Sequence, residues 1–177
     1  MFYIEPDKNV TEFTKAVVGE TNFGNRGKAD GSKEQQYVGI LGENMLRDFV
    51  GVELNGGGGT HDGGFDIHWY GQKTDIKTVG RSTDPKPHFA VNFYPQQRNA
   101  DVDRYIFTSL NAISKRLAVC GWMPKVDFFN AAEYLTAGAV RYQDNGKERT
   151  NKYAMYELPV GRLYTLREDD LVGKCDE

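Results

Sequence analysis

Apolar residues recur at Val38, Leu41, Met45 and Phe49, with Ile40, Leu46 and Val50 widening the stripe. That spacing marks one buried face of a helix. Ser32 with Gln35 three residues on has the form of a capping box, and Gly51 supplies a stop. The pattern predicts a helix over Lys33–Val50. Further on, the period changes to two. Phe65-Asp66-Ile67-His68-Trp69-Tyr70 alternates, Lys73 to Val79 alternates again, and Gly71-Gln72 between them suits a type II′ hairpin turn. Counting outward from that turn sets Tyr70 opposite Lys73, His68 opposite Asp75 and Asp66 opposite Lys77. Asp66, His68, Asp75 and Lys77 then project from one face.

Phe89–Tyr94, Arg104–Leu110 and Arg116–Trp122 read as strands, Asp127–Leu135 as a helix ending near Gly138, and Tyr153–Leu158 and Leu163–Leu166 as short strand-like pieces. Trp122, Phe128 and Phe129 read as packing aromatics, and Cys120 as a buried thiol. Residues 1–32 are polar and turn-rich, with a short helix expected at Val10–Val18 and the rest a basic arm or loop. Strands flanked by helices predict a mixed α/β (α+β) domain with one central sheet over residues 33–172, preceded by the arm 1–32 and followed by an acidic tail, 173–177.

Composition bounds the function. In 177 residues, 39% are apolar and 27% charged, enough to bury a core. No run approaches the ~18 apolar residues of a membrane span. The N-terminal residues lack a basic segment followed by an apolar one, so no signal peptide is expected. Two cysteines make no disulfide framework. Both points predict a reducing, cytoplasmic setting. The net charge of -3 excludes a polycation that coats nucleic acid. It is concentrated, however: Leu163–Glu177 carries five acids against two bases, and the remainder balances. Phe65–Ala100 holds five bases (Lys73, Lys77, Arg81, Lys86, Arg98) against three acids. Seven glycines lie between Gly51 and Gly64, with no Gly-Lys-Ser/Thr after them. This is not a phosphate-binding P-loop. It reads as a flexible connection, or as a mobile loop carrying His61 and Asp62 beside a site.

Two carboxylates and a lysine on one hairpin face call for an explanation. Asp66 and Asp75 repel unless a cation sits between them, and hard oxygen donors suit Mg²⁺ or Mn²⁺. A neighbouring lysine then orients water or balances charge on a phosphoryl group. The alternative is an ordinary solvated hairpin face, with Asp66 and Lys77 paired across strands.

Asp66, eight intervening residues, then Asp75-Ile76-Lys77 resembles the Asp…(Asp/Glu)-x-Lys signature of the PD-(D/E)XK nuclease superfamily, the restriction-endonuclease-like fold. Phe65 stands where the signature has proline. Gly39-Ile40-Leu41-Gly42-Glu43 lies in a preceding helix, where the superfamily often has a metal-site glutamate, and Asp103–Phe107 and Gly121–Met123 are similar to small phage or mobile-element nucleases. The resemblance covers roughly Lys33–Leu171. It implies an αβββαβ core and a Mg²⁺-dependent deoxyribonuclease, an endonuclease, with Mn²⁺ able to substitute. It further implies Asp66, Asp75, the Ile76 carbonyl and Glu43 as metal ligands and Lys77 as the residue that positions water. Arg81, Ser82, Lys86, Gln97, Arg98 and His61 are candidate DNA contacts, and His68 a further candidate on the catalytic face. Dimerisation through an exchanged N-terminal arm is a further expectation. Two alternatives remain open: a catalytically inactive nuclease-fold protein that binds nucleic acid, and an unrelated α/β protein.

Overall fold

The computed structural model describes residues 1–20, 32–56, 64–142 and 148–176. In chain order the strands are β1 (Phe2–Ile4), β2 (Ile67–Trp69), β3 (Gln72–Arg81), β4 (Ala90–Phe93), β5 (Arg104–Asn111), β6 (Leu117–Pro124), β7 (Glu133–Leu135), β8 (Val140–Tyr142), β9 (Glu148–Thr150), β10 (Met155–Pro159) and β11 (Cys175–Asp176). The helices are α1 (Lys8–Glu20), α2 (Lys33–Val50) and α3 (Lys125–Ala131).

Helix α2 takes the expected span because its ends are chemically closed. Ser32 and Gln35 form the reciprocal capping box, and Gly51, at φ 76°, returns its N–H to the Arg47 and Asp48 carbonyls. Its buried face, Leu41, Met45, Leu46 and Val50, packs on Ile67, Trp69, Ile76 and Ile106. The fold is mixed α+β, built on a six-stranded sheet ordered β1-β6-β5-β3-β2-β11. Strands β3 and β5 pair in parallel, and the other pairs are antiparallel.

A parallel pair needs a long crossover. Here it spans residues 82–103 and passes over the face opposite α2. Within it β4 pairs with β10, and β10 with β7, forming a small antiparallel sheet. Val91, Phe93 and Leu158 from this sheet, with Phe128 and Phe129 of α3, cover Tyr105, Phe107 and Cys120. Strand β5 is therefore buried on both faces from Arg104 to Leu110, its apolar Tyr105, Ile106, Phe107 and Leu110 sharing the interior with Arg104, Thr108 and Ser109.

Four expectations are corrected. Residues 2–20 are not an arm: β1 pairs with β6, and α1, which contains the helix expected at Val10–Val18, packs on α2 with Val10 in the shared core and Thr14 accepting from Asn44, while residues 21–31 lie outside the described set. The helix expected over Asp127–Leu135 ends at Ala131, and Glu133-Tyr134-Leu135 instead pairs with β10. Of Leu163–Leu166, only Tyr164 makes a bridge, to Trp122. Within the acidic tail, Cys175–Asp176 form β11, which pairs with β2 as an edge strand of the main sheet. Among the described residues, no helix is long and apolar enough to cross a membrane.

Candidate active site at the mouth of the hairpin

The turn between β2 and β3 is Tyr70-Gly71, both at positive φ (51° and 67°), which is the type I′ pattern. The register is therefore Ile67 with Thr74, His68 with Lys73 and Trp69 with Gln72. The cross-strand partners differ from those counted from Gly71-Gln72. The faces do not, because moving the turn by one residue changes each partner by two. Asp75 and Lys77 still share a face, and Asp66 approaches Asp75, not Lys77.

Strand β2 stops pairing regularly at Asp66. Its N–H donates to the Thr74 carbonyl at 2.9 Å, and its Oδ2 accepts the Ile76 N–H at 2.6 Å. A carboxylate thus replaces the missing strand partner. In an extended strand the N–H and C=O of one residue point to the same edge. The Ile76 carbonyl therefore faces the edge that Asp66 caps.

Glu43 comes from α2. Gly42 lets the helix approach β3 closely: a Cβ there would lie 2.2 Å from Thr78 Oγ1 and 2.8 Å from Thr78 Cβ. Glu43 is 6% exposed, accepts a hydrogen bond from Asn55 Nδ2 at 3.0 Å and lies 3.7 Å from Arg47 Nη1. Arg47 also donates to the Glu53 and Asp66 carbonyls. Asn44 fixes Asn55, accepting its N–H at 2.7 Å, and donates to Thr14 of α1. Asp75, 7% exposed, pairs with Lys77 Nζ at 2.7 Å.

The electrostatics follow from this crowding. Loss of hydration, then the charges of Glu43 and Asp75, push the half-buried Asp66 carboxyl well above the usual carboxylate range, against the opposing pull of Lys77 and the Ile76 N–H. Burial, and next the Asp75 charge, likewise raise the Tyr105 hydroxyl, whose O–H donates to the Gln97 carbonyl at 3.4 Å. Glu43, Asp66, Asp75 and Lys77 form one electrostatic cluster drawn from α2, the start of the hairpin and β3. Even so, among the described residues no three His, Cys, Asp or Glu side chains are grouped closely enough to hold a metal ion as they stand. A cavity of about 350 Å³ opens beside Asp66, lined in part by Arg47, Asn55 and Phe65.

The chain matches no family model, no curated protein and no solved structure.

The remaining candidates are dispersed. Arg81 donates to the Ala90 carbonyl at 2.6 Å and lies over the Phe89 ring. Ser82 and Lys86 are exposed. The side chain of Gln97 caps a 3₁₀ turn at Tyr94, and Arg98 reaches the Tyr156 hydroxyl at 3.3 Å. His68 packs on Phe65 and its Nδ1 lies 3.9 Å from Asp176, at the C-terminal strand. His61 and Asp62 lie outside the described residues. Sequence reasoning missed Asn44, Asn55 and Tyr105. Arg47 was visible as the i+4 partner of Glu43, but the pair is enclosed, with side-chain exposures of 11% and 8%.

Proposed function

We propose that this chain is a divalent-metal-dependent nuclease that hydrolyses phosphodiester bonds of DNA as an endonuclease, on a restriction-endonuclease-like core. One observation carries the reading: Asp66 caps the Ile76 N–H at the N-terminal end of β2, next to Asp75 with its paired Lys77 and under the charge of Glu43 from α2. Glu43 and Asp75 both repel the Asp66 carboxylate although the three do not converge as they stand, and a divalent cation drawing them together would relieve that repulsion. Their hard oxygen donors fit Mg²⁺ or Mn²⁺. Asp66 and Asp75 would hold the ion with the Ile76 carbonyl, and Glu43 would complete the set from α2.

When bound, such an ion supplies Lewis-acid polarisation and a more acidic water. The chain's own groups do the rest. Lys77 moves from Asp75 toward the reacting phosphoryl oxygens, where its ammonium balances developing charge and orients water. Arg47 keeps Glu43 and the Asp66 backbone in place, and Asn55 fixes the Glu43 carboxylate. The order of α2, the β2–β3 hairpin and the parallel β5 supports the proposed core. The crossover between β3 and β5 carries β4 and no α-helix, and α3 follows β6, which departs from a plain αβββαβ order.

The test is cleavage of duplex, single-stranded, nicked and branched DNA, with RNA in parallel, in Mg²⁺ or Mn²⁺. Lys77→Ala and Asp75→Ala should each lower the rate by about 10²-fold or more, with unchanged circular dichroism. Folded protein that cleaves nothing with either ion refutes the proposal. Carboxylate-dependent Mn²⁺ binding without cleavage would instead identify a catalytically inactive nuclease-fold protein.

A further inference from the structure

The crossover from Arg81 to Ala100 lies on the sheet face that carries Asp75 and Lys77. It holds Arg81, Lys86 and Arg98 against a single acid, Asp84. That acid is already neutralised: Arg116 Nη2 lies 2.8 Å from its carboxylate and Asn111 Nδ2 donates to it at 2.8 Å. The opposite face differs. Helices α1 and α2 carry five acids (Glu12, Glu20, Glu34, Glu43, Asp48) against four bases. The crossover thus carries a local excess of basic residues beside the strand that bears Asp75 and Lys77.

The segment is also held in shape. Gly161 N–H donates to the Pro87 carbonyl and Val160 N–H to the Phe89 carbonyl, both at 2.7 Å. A Cβ on Gly161 would sit 3.1 Å from Pro87. Within this brace, Arg81 lies over the Phe89 ring at 4.7 Å and Lys86 at 5.8 Å, and His88 packs edge-on against it at 5.1 Å. Lys86 and His88 are exposed. Arg81 stands four residues beyond Lys77 on the same face of β3, about 13 Å along the strand.

We propose that the braced turn Lys86–Phe89 is a phosphate-binding shelf for a nucleic-acid strand, on which the sugar–phosphate backbone runs from Lys77 along β3 to Lys86 and His88. Arg81 is a positioning residue that supports the Phe89 ring and does not itself reach the strand. The proposal rests on the nuclease reading and specifies where its substrate lies. Such a strand is recognised by its charge and not by its base sequence.

The experiment uses the full chain in EDTA, so that binding is measured without cleavage, with a fluorescein-labelled DNA duplex and its single strand as probes. Fluorescence anisotropy across a salt series gives the slope of log K against log[salt]. Lys86→Ala/His88→Ala should weaken binding several-fold and reduce that slope by about 0.9 for each phosphate no longer neutralised, at unchanged melting temperature. Lys8→Ala/Lys15→Ala, which removes two lysines from α1, should leave both quantities unaltered. An unaltered slope in the first variant, an equal weakening in the second, or no binding by the parent chain overturns the shelf. Binding with the expected slope but no cleavage in Mg²⁺ refutes the nuclease reading and leaves the shelf standing. Cleavage with a slope indifferent to Lys86 and His88 does the reverse.

Discussion

Gly42→Ala tests the contact that delivers Glu43. A Cβ at residue 42 would meet Thr78 Oγ1 at 2.2 Å, Cγ2 at 2.4 Å and Cβ at 2.8 Å. Rotating Thr78 moves the first two atoms but leaves its Cβ where it is, and rotation also breaks the 2.8 Å bond between the Thr78 and Thr108 hydroxyls. Ordinary carbon contacts begin near ~3.5 Å, so α2 must retreat from β3 by roughly 0.7 Å. Overpacking of this kind costs about 1–3 kcal/mol, and the better helix propensity of alanine offsets about 1 kcal/mol. A net loss of up to about 2 kcal/mol follows, or a fall in Tm of at most roughly 4–8 °C for a chain of this size. Gly39 is the control: in the same helix, a Cβ there meets nothing within 4 Å. Gly39→Ala should stabilise by about 1 kcal/mol. Calorimetry on both variants, with Gly42→Ala/Thr78→Ala closing a double-mutant cycle, should show opposite signs for the two glycines and partial recovery in the pair. Equal stabilisation by both substitutions would refute the close helix–strand approach.

Three further outcomes are expected. The Asp66 carboxyl binds its proton more tightly in the folded chain than when unfolded, so stability should fall as pH rises from the ordinary carboxylate range to the raised folded value, and then level off. Asp66→Asn should melt higher than the parent at neutral pH without divalent ions, with the difference vanishing in acid; a lower Tm at neutral pH would contradict the crowding of charge. Burial raises the thiols of Cys120 and Cys175 to about 11 each, so native protein near neutral pH should resist iodoacetamide while urea-unfolded protein takes two labels by mass spectrometry. Deleting residues 174–177 removes the β11 pairing and the bond from the Tyr70 N–H to the Lys174 carbonyl. Amide exchange should then accelerate at His68–Tyr70, whereas a dispensable tail predicts no change.

What could be read from the sequence was what local chemistry decides. The span of α2 was legible because its cap, stripe and stop lie within one segment. The shared face of Asp75 and Lys77 was legible because the strand period survives a displaced turn. The turn itself was not: placing Tyr70 at positive φ goes against residue preference, and the pairing of Ile67 with Thr74 outweighs it. The end of α3 depends on Tyr134 meeting Tyr156, an association that no local window contains. β11 reads only as an acidic tail because its pairing with β2 and the packing of Cys175 on the core depend on residues about a hundred positions earlier. Asn55 was invisible for the same reason as Arg47's second role, since both depend on residues 53–56 folding back beside α2.

The hydrogen bond from the Ile76 N–H to Asp66 Oδ2 makes one main-chain amide a reporter of the whole cluster. Protonating that carboxyl, drawing it toward a cation or moving it with Glu43 each changes the field at a single nitrogen. The ¹⁵N shift of Ile76 should therefore follow pH and divalent-ion titrations directly, on protein that has no substrate and performs no turnover. The enzyme question can be separated from the binding question at one resonance in the middle of the sheet.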